Sequence, residues 1–193
     1  MLRLVVLDID NTLVRTPIDW AKLRRDIESA TGVYVEHRPL IEGVYLYLSP
    51  EQRGVALRLI EEAELNSAAA VKPSEPLVEL ISNLKRCGCL VAVVTLRERR
   101  SAEAVLGSLG VARLVDHLVT RDDTMDRPRQ VELVLRKLGI RGRDAVFVGD
   151  SPEDLGVLLR HGVSTVILRE PRAYGVPGEL TEVLARISMV CCS

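Results

Sequence analysis

Leu4-Val5-Val6-Leu7-Asp8-Ile9-Asp10-Asn11-Thr12-Leu13 is a short, β-branched apolar run that stops on two carboxylates. The run reads as a buried strand. A carboxylate pair at such a strand end needs a cation, a shifted pKa or dense hydrogen bonding to offset desolvation and mutual repulsion. In open α/β folds ligands bind beyond the carboxyl ends of parallel strands, which is where Asp8 and Asp10 fall if this strand joins a parallel sheet. The competing reading is a plain turn, with Asp8 capping the Asp10 amide and Asn11 supplying a left-handed residue.

The rest of the chain weighs against a mere turn. Val91-Ala92-Val93-Val94-Thr95 and Ala145-Val146-Phe147-Val148-Gly149-Asp150 are two more apolar strands that end on polar groups. Strand-like runs at 3–9, 89–95, 116–120, 144–148 and 163–168 alternate with helical patterns at 75–86, 98–109, 128–138, 152–160 and 178–188. Such alternation predicts a parallel sheet with helices on both faces.

Between residues 14 and 72 the pattern changes. No strand of similar quality occurs there, and Trp20, Leu23, Ile27 and Ala30 recur at helical spacing, as a core-facing stripe would. Ser49-Pro50-Glu51-Gln52 starts a helix running to about Ala70, with a Ser cap, Pro at the first helical position and Gln at the third. This predicts an α/β core over 1–13 and 73–193 with a helical insertion over 14–72. Trp20, Tyr34, Tyr45 and Tyr47 concentrate the aromatic side chains in the insertion, as pocket lining or as its own small core. His37 and Arg38 fall in a loop-like part of it.

Composition narrows the function classes. The 193 residues are 47% hydrophobic, enough for a substantial core, and a net charge of -1 gives no basis for binding nucleic acid or a membrane surface. The opening apolar run is interrupted by Asp8 and Asp10, too short for a signal peptide or a membrane span, so the expected location is the cytoplasm. The cysteines fall as Cys87-x-Cys89 and Cys191-Cys192, without the two-residue gap of zinc knuckles and redox motifs. Cys87 and Cys89 read as ordinary buried thiols in a helix-to-strand turn, and the C-terminal pair as exposed or disulfide-capable. Low amide content hints at a thermophile, while the scarcity of Lys points the other way.

Asp8 to Thr12, Thr95, Arg127 and Gly149-Asp150-Ser151-Pro152-Glu153-Asp154 together resemble the motifs of the haloacid dehalogenase-like hydrolases. These are Asp-x-Asp-x-Thr, a strand-terminal Ser or Thr, a Lys or Arg before a helix, and Gly-Asp followed by a further acid. The resemblance covers nearly the whole chain, in order. It implies a Rossmann-like three-layer α/β/α core, with the insertion as a small helical cap over the active site. It also implies a Mg²⁺-dependent phosphatase working through an aspartyl-phosphate on a small phosphate ester, phosphoglycolate phosphatase-like. Asp8 would be the nucleophile and Asp10 the general acid and base, while lending its backbone carbonyl to the metal; Asp8, Asp10 and Asp150 would hold the metal. Thr95, Leu96 and Arg127 would bind the phosphoryl group, and Asp154 and Ser151 would support these residues from behind, Asp154 orienting Arg127 or a metal-bound water.

Each motif also has a structural reading. Thr95 with Glu98 forms a potential capping box, and Ser151-Pro152 begins a helix well. Arg127 stands where a cap is expected, although it lacks a capping acceptor and opposes the helix dipole, which a nearby anion would explain. The commoner residue there in the resembling family is Lys, a point charge where Arg offers a planar fork.

Asp10 argues against a dehalogenase, and the 14–72 insertion argues against a signalling receiver domain. A phosphomutase, and a non-catalytic phosphate- or metal-binding signalling protein, remain as alternatives. Phosphoglycolate, sugar phosphates and nucleoside monophosphates all suit the site, and the oligomeric state is not legible.

Overall fold

A computed structural model describes residues 1–36, 39–151, 156, 160–169 and 173–192. Five parallel strands form the sheet: β1 (Leu4–Leu7), β2 (Leu90–Val94), β3 (His117–Val119), β4 (Ala145–Gly149) and β5 (Ser164–Ile167). Their order is β3-β2-β1-β4-β5. The order reverses between β1 and β4, which opens a crevice at their carboxyl ends. Registers Leu7↔Val93 and Leu7↔Val148 bring the ends of the three central strands level, so residues following them share one edge.

Helices α1 (Trp20–Thr31), α2 (Leu40–Tyr47) and α3 (Pro50–Ala69) follow β1. The remaining helices named here are α4 (Glu75–Arg86), α5 (Arg99–Leu109), α6 (Arg127–Leu138) and α7 (Gly178–Cys191). Alternation along β1 sends Val5 and Leu7 to one face and Leu4 and Val6 to the other. The first face packs on Leu77, Ile81 and Leu84 of α4, Val105 and Leu106 of α5, and Leu180 and Leu184 of α7. The second packs on Val131, Val134 and Leu135 of α6, with Phe147. Sheet and flanking helices therefore make the three-layer α/β/α arrangement expected from the alternation. No helix among the described residues is long and apolar enough to cross a membrane.

Helices α1 to α3 bury a separate cluster, including Leu23, Ile27, Val35, Val44 and Ile60. The stripe read along α1 is only partly a core stripe. Leu23 and Ile27 are buried, whereas Trp20 is 43% exposed and Ala30 is exposed. The inner face turns instead through Arg24, whose guanidinium donates to the Val35 carbonyl. Tyr45 and Tyr47 also face solvent, Tyr45 beneath the Arg53 guanidinium. Ser49 and Gln52 form the capping box reciprocally, and Gln52 also donates to the Thr31 carbonyl at 2.8 Å, tying α3 to the end of α1. His37 and Arg38 lie outside the described residues, as does most of the helix expected over 152–160.

The cysteines depart from the local reading. Cys87 pairs with Cys192 and Cys89 with Cys191, so two bridges fasten the end of α7 to the turn between α4 and β2. Spacing rules look for neighbours in sequence, and these partners are 105 and 102 residues apart. Structural disulfides belong to oxidising compartments and to intracellular proteins of hyperthermophiles. The cytoplasmic expectation fits these bridges only in the second setting. A loop of about 100 residues is large enough for its closure to stabilise the fold by about 2–4 kcal/mol, and the second bridge adds little because the loop is already closed. Melting with and without reductant is therefore expected to differ by on the order of 10 °C. Cys87→Ser alone is expected to retain most of that difference, and an unchanged melting temperature on full reduction would contradict it.

Candidate active site

Asp8 follows β1 directly and its backbone N–H still donates to Val148 O of β4 at 3.0 Å, so the sheet fixes its position. Its side chain is buried at 5% exposure. Oδ1 accepts from the Ile9 amide at 2.7 Å, one residue earlier than the Asp10 amide considered from sequence. Oδ2 accepts from Arg127 Nη2 at 2.9 Å.

After Asp10 the chain reverses. Asn11 takes the left-handed region at φ 57°, its N–H donates to the Val14 carbonyl, and Val14 N–H donates to the Ile9 carbonyl. Asn11 is thus the turn residue expected, yet its side chain does more: Nδ2 donates to Asp150 Oδ2 at 3.2 Å. The same residue thus makes the turn and links it to the end of β4.

Thr95 directly follows β2, its N–H donates to Val119 O at 3.0 Å, and it is fully buried. The capping box with Glu98 does not form. Glu98 is itself the cap of α5, accepting from Ser101 N–H at 3.1 Å, while Thr95 Oγ1 accepts from Arg97 N–H at 3.1 Å. Leu96 is half-buried and packs against the α1–α3 cluster.

Arg127 is not at the cap position but is the first residue of α6. Asp126 is the cap and accepts from Arg129 N–H at 3.3 Å. An acidic cap removes the difficulty of an Arg cap and leaves the Arg127 side chain to reach inward. Its fork bonds Asp8 through one nitrogen and Gln130 Oε1 through another, at 3.0 Å, and its guanidinium lies 6.0 Å from the centre of the Phe147 ring.

Three contributors escaped the sequence reading. Gln130 is fully buried, and its Nε2 donates to the carbonyls of Thr95 and Thr124, both at 2.8 Å. It locks α6 to the end of β2 while presenting its oxygen to Arg127. The signal available was a Gln one turn along from Arg127 in a chain poor in amides. Arg97 is fully buried and holds Asp10 with a two-nitrogen grip, Nη2 at 2.7 Å and Nε at 2.9 Å. Burial alone would lower its pKa, but the carboxylates of Asp10, Glu64 and Asp8 outweigh that and raise it, so it is a permanent cation. Glu64 of α3 is paired with Arg121 at 2.6 Å. Burial pushes the Glu64 carboxyl above its ordinary value, against the pull of Arg121 and Arg97.

In the expected metal set Asp8 and Asp150 contribute carboxylates and Asp10 lends its backbone carbonyl. No group of three or more His, Cys, Asp or Glu side chains gathers around a metal position among the described residues, and the Asp10 carboxylate faces Arg97. Two carboxylates, Asp8 and Asp150 at neighbouring strand ends, remain with the Asp10 backbone carbonyl. That donor set fits Mg²⁺, which is bound through one or two carboxylates and otherwise keeps its waters. Ser151 is described and half-buried; Asp154 lies outside the described residues.

The model of the haloacid dehalogenase-like hydrolases matches residues 2–162. Phosphoglycolate phosphatase 1 of Pseudomonas aeruginosa is 26% identical over 196 residues, spanning 91% of this chain and 72% of that protein. N-acetylmuramic acid 6-phosphate phosphatase of the same species is 26% identical over 221 residues, spanning 98% of each. A crystal structure described as a predicted phosphoglycolate phosphatase from Haemophilus somnus superposes with a TM-score of 0.72 at 17% identity, covering 96% of this chain and 98% of that one.

Proposed function

Because the chain belongs to the haloacid dehalogenase-like hydrolases, we propose that it is a Mg²⁺-dependent phosphatase that cleaves a small phosphate ester through an aspartyl-phosphate on Asp8. The observation that carries this reading is the convergence at the β1/β4 crevice of a buried carboxylate, Asp8, with a cation aimed at it, Arg127, at 2.9 Å. A buried ion pair at a ligand-binding edge is poor value for stability. It is well suited to receiving a phosphoryl group between its two members.

Asp8 attacks phosphorus as a carboxylate, a nucleophile that needs no separate base. Asp10 protonates the leaving oxygen and then takes a proton from the water that hydrolyses the acyl phosphate. Arg127 and the Thr95–Leu96 turn hold the phosphoryl oxygens, with the fork of Arg127 kept in place by Gln130. Asp8, Asp150 and the Asp10 carbonyl would hold Mg²⁺, which when bound offsets the negative charge shared by the phosphoryl group and Asp8. The helices over 14–72 act as a cap that selects the leaving group, and Trp20, Tyr34, Tyr45 and Tyr47 of that segment are exposed. The named activities of the two Pseudomonas relatives favour phosphoglycolate and sugar phosphates as the first substrates to try.

Hydrolysis of p-nitrophenyl phosphate with Mg²⁺, and again with EDTA, tests the class. Turnover that disappears on chelation is expected, and metal-independent turnover would overturn the metal assignment. Arg127→Ala is expected to lower kcat/KM by about 100-fold, the scale of a lost charge-stabilising donor. Arg127→Lys keeps the charge but loses one arm of the fork, and is expected to recover part of the loss. Equal activity in all three proteins would remove Arg127 from phosphate binding.

A further inference from the structure

Among the described residues Arg97 is the largest side chain with essentially no exposure, and every part of its fork is engaged. Nε donates to Asp10 Oδ2 at 2.9 Å and Oδ1 at 3.1 Å, and Nη2 donates to Asp10 Oδ1 at 2.7 Å and Thr16 Oγ1 at 2.8 Å. Nη1 donates to Ser101 Oγ at 3.0 Å, the Glu64 carbonyl at 3.3 Å and Ser67 Oγ at 3.4 Å. The five N–H groups of a guanidinium radiate in a rigid plane, so partners on three sides leave the fork one orientation. Apart from Asp10, those partners come from three places: Thr16 from the segment after the Asp10–Val14 turn, Ser101 from α5, and Glu64 and Ser67 from α3.

Asp10 itself retains 35% side-chain exposure, and among the described residues its carboxylate is held from the Arg97 side. An Asp on a turn has two free side-chain torsions, and an acid group misplaced by about 1 Å can lose about 100-fold in rate. We propose that Arg97 is the positioning residue for Asp10. Its fork fixes the direction in which the Asp10 carboxyl meets the leaving oxygen, and acts only through Asp10 because its N–H groups are taken up by protein partners. In the step concerned, Asp8 forms the new bond to phosphorus, the ester P–O bond breaks, and the Asp10 proton passes to the leaving oxygen. Through Glu64 and Ser67 the same fork makes the orientation of Asp10 depend on where α3 sits. This rests on the proposed phosphatase reading.

The test is the leaving-group dependence of kcat/KM over a series of substituted phenyl phosphates, from p-nitrophenyl to phenyl, in wild type, Arg97→Met, Arg97→Lys, Asp10→Asn and the double variant Asp10→Asn with Arg97→Met. A good leaving group needs little protonation, so losing a positioned acid affects phenyl phosphate most. Arg97→Met is expected to lower the phenyl to p-nitrophenyl ratio by about 10-fold or more, within the range a positioned acid supplies. Arg97→Lys is expected to restore part of it, and Asp10→Asn to show a drop that Arg97→Met does not deepen. The ratio is independent of how much of a variant is folded, so poor folding cannot mimic the result. An unchanged ratio in Arg97→Met, with turnover retained, overturns the assignment while leaving the phosphatase reading intact. Absence of turnover in the wild type, with every ester of the series, overturns both.

Discussion

Asp8→Asn is expected to reduce phosphate-ester hydrolysis at least about 10⁴-fold, the scale on which removing a nucleophile that acts within a catalytic unit is felt. Asparagine nearly keeps the shape of the side chain. It preserves an oxygen for the Ile9 amide, which Asp8 Oδ1 now accepts at 2.7 Å. What disappears is the charge opposite Arg127 and the capacity to form an acyl phosphate. Removing one carboxylate from a crevice that also holds Asp10 and Asp150 relieves repulsion, so stability is expected to change by no more than about 1–2 kcal/mol. Activity and thermal unfolding measured on the same preparation separate the two effects. Residual turnover within about 10-fold of wild type would remove Asp8 from the nucleophile role.

Glu64→Ala is expected to have the largest effect on stability, a loss of about 3–5 kcal/mol. Glu64 is 4% exposed and lies on α3, its Oε1 against Arg121 Nη1 at 2.6 Å and its Oε2 accepting from Glu98 N–H at 3.3 Å. Arg121, from the turn that follows β3, also donates to the Leu96 carbonyl at 2.9 Å. Removing the carboxylate leaves a buried guanidinium without its counter-charge, with the Arg97 guanidinium close by and repelling it. The helical segment over 14–72 would then lose its main polar attachment to the α/β core. The expected fall in melting temperature is on the order of 10 °C. Replacing both partners together, Glu64→Met with Arg121→Met, is expected to recover most of the loss, because no charge is left buried alone. A loss below about 1 kcal/mol in Glu64→Ala would show that the pair is not what holds α3 down.

The strands were legible because their residues are β-branched and their ends are costly for charge. Asp8, Thr95 and Asp150 stand at the predicted edge because register, not side-chain detail, puts them there. The contacts that organise the site were not legible in the same way. Arg97 and Asp10 are 87 positions apart, and Arg127 and Asp8 are 119 apart. No local pattern encodes such meetings, and an Arg two residues past a strand looks like any surface Arg until the sheet is assembled. Asp126 shows a subtler miss: in Asp-Arg-Pro the capping acceptor is the acid, and the reading that placed Arg127 at the cap was one residue off. Trp20 failed for another reason. Helical spacing identifies a stripe but not which end of it reaches the core, and α1 turns its buried face through Arg24 and Ile27.

The most direct test of the mechanism is to acid-quench the wild-type protein during turnover of a labelled phosphate ester with Mg²⁺ and to map the label by mass spectrometry. The account predicts one phosphoryl group on the peptide containing Asp8, released by hydroxylamine, absent in Asp8→Asn and accumulating in Asp10→Asn, where hydrolysis of the intermediate is slowed. Turnover without any covalent label, or a label on another residue, would contradict it.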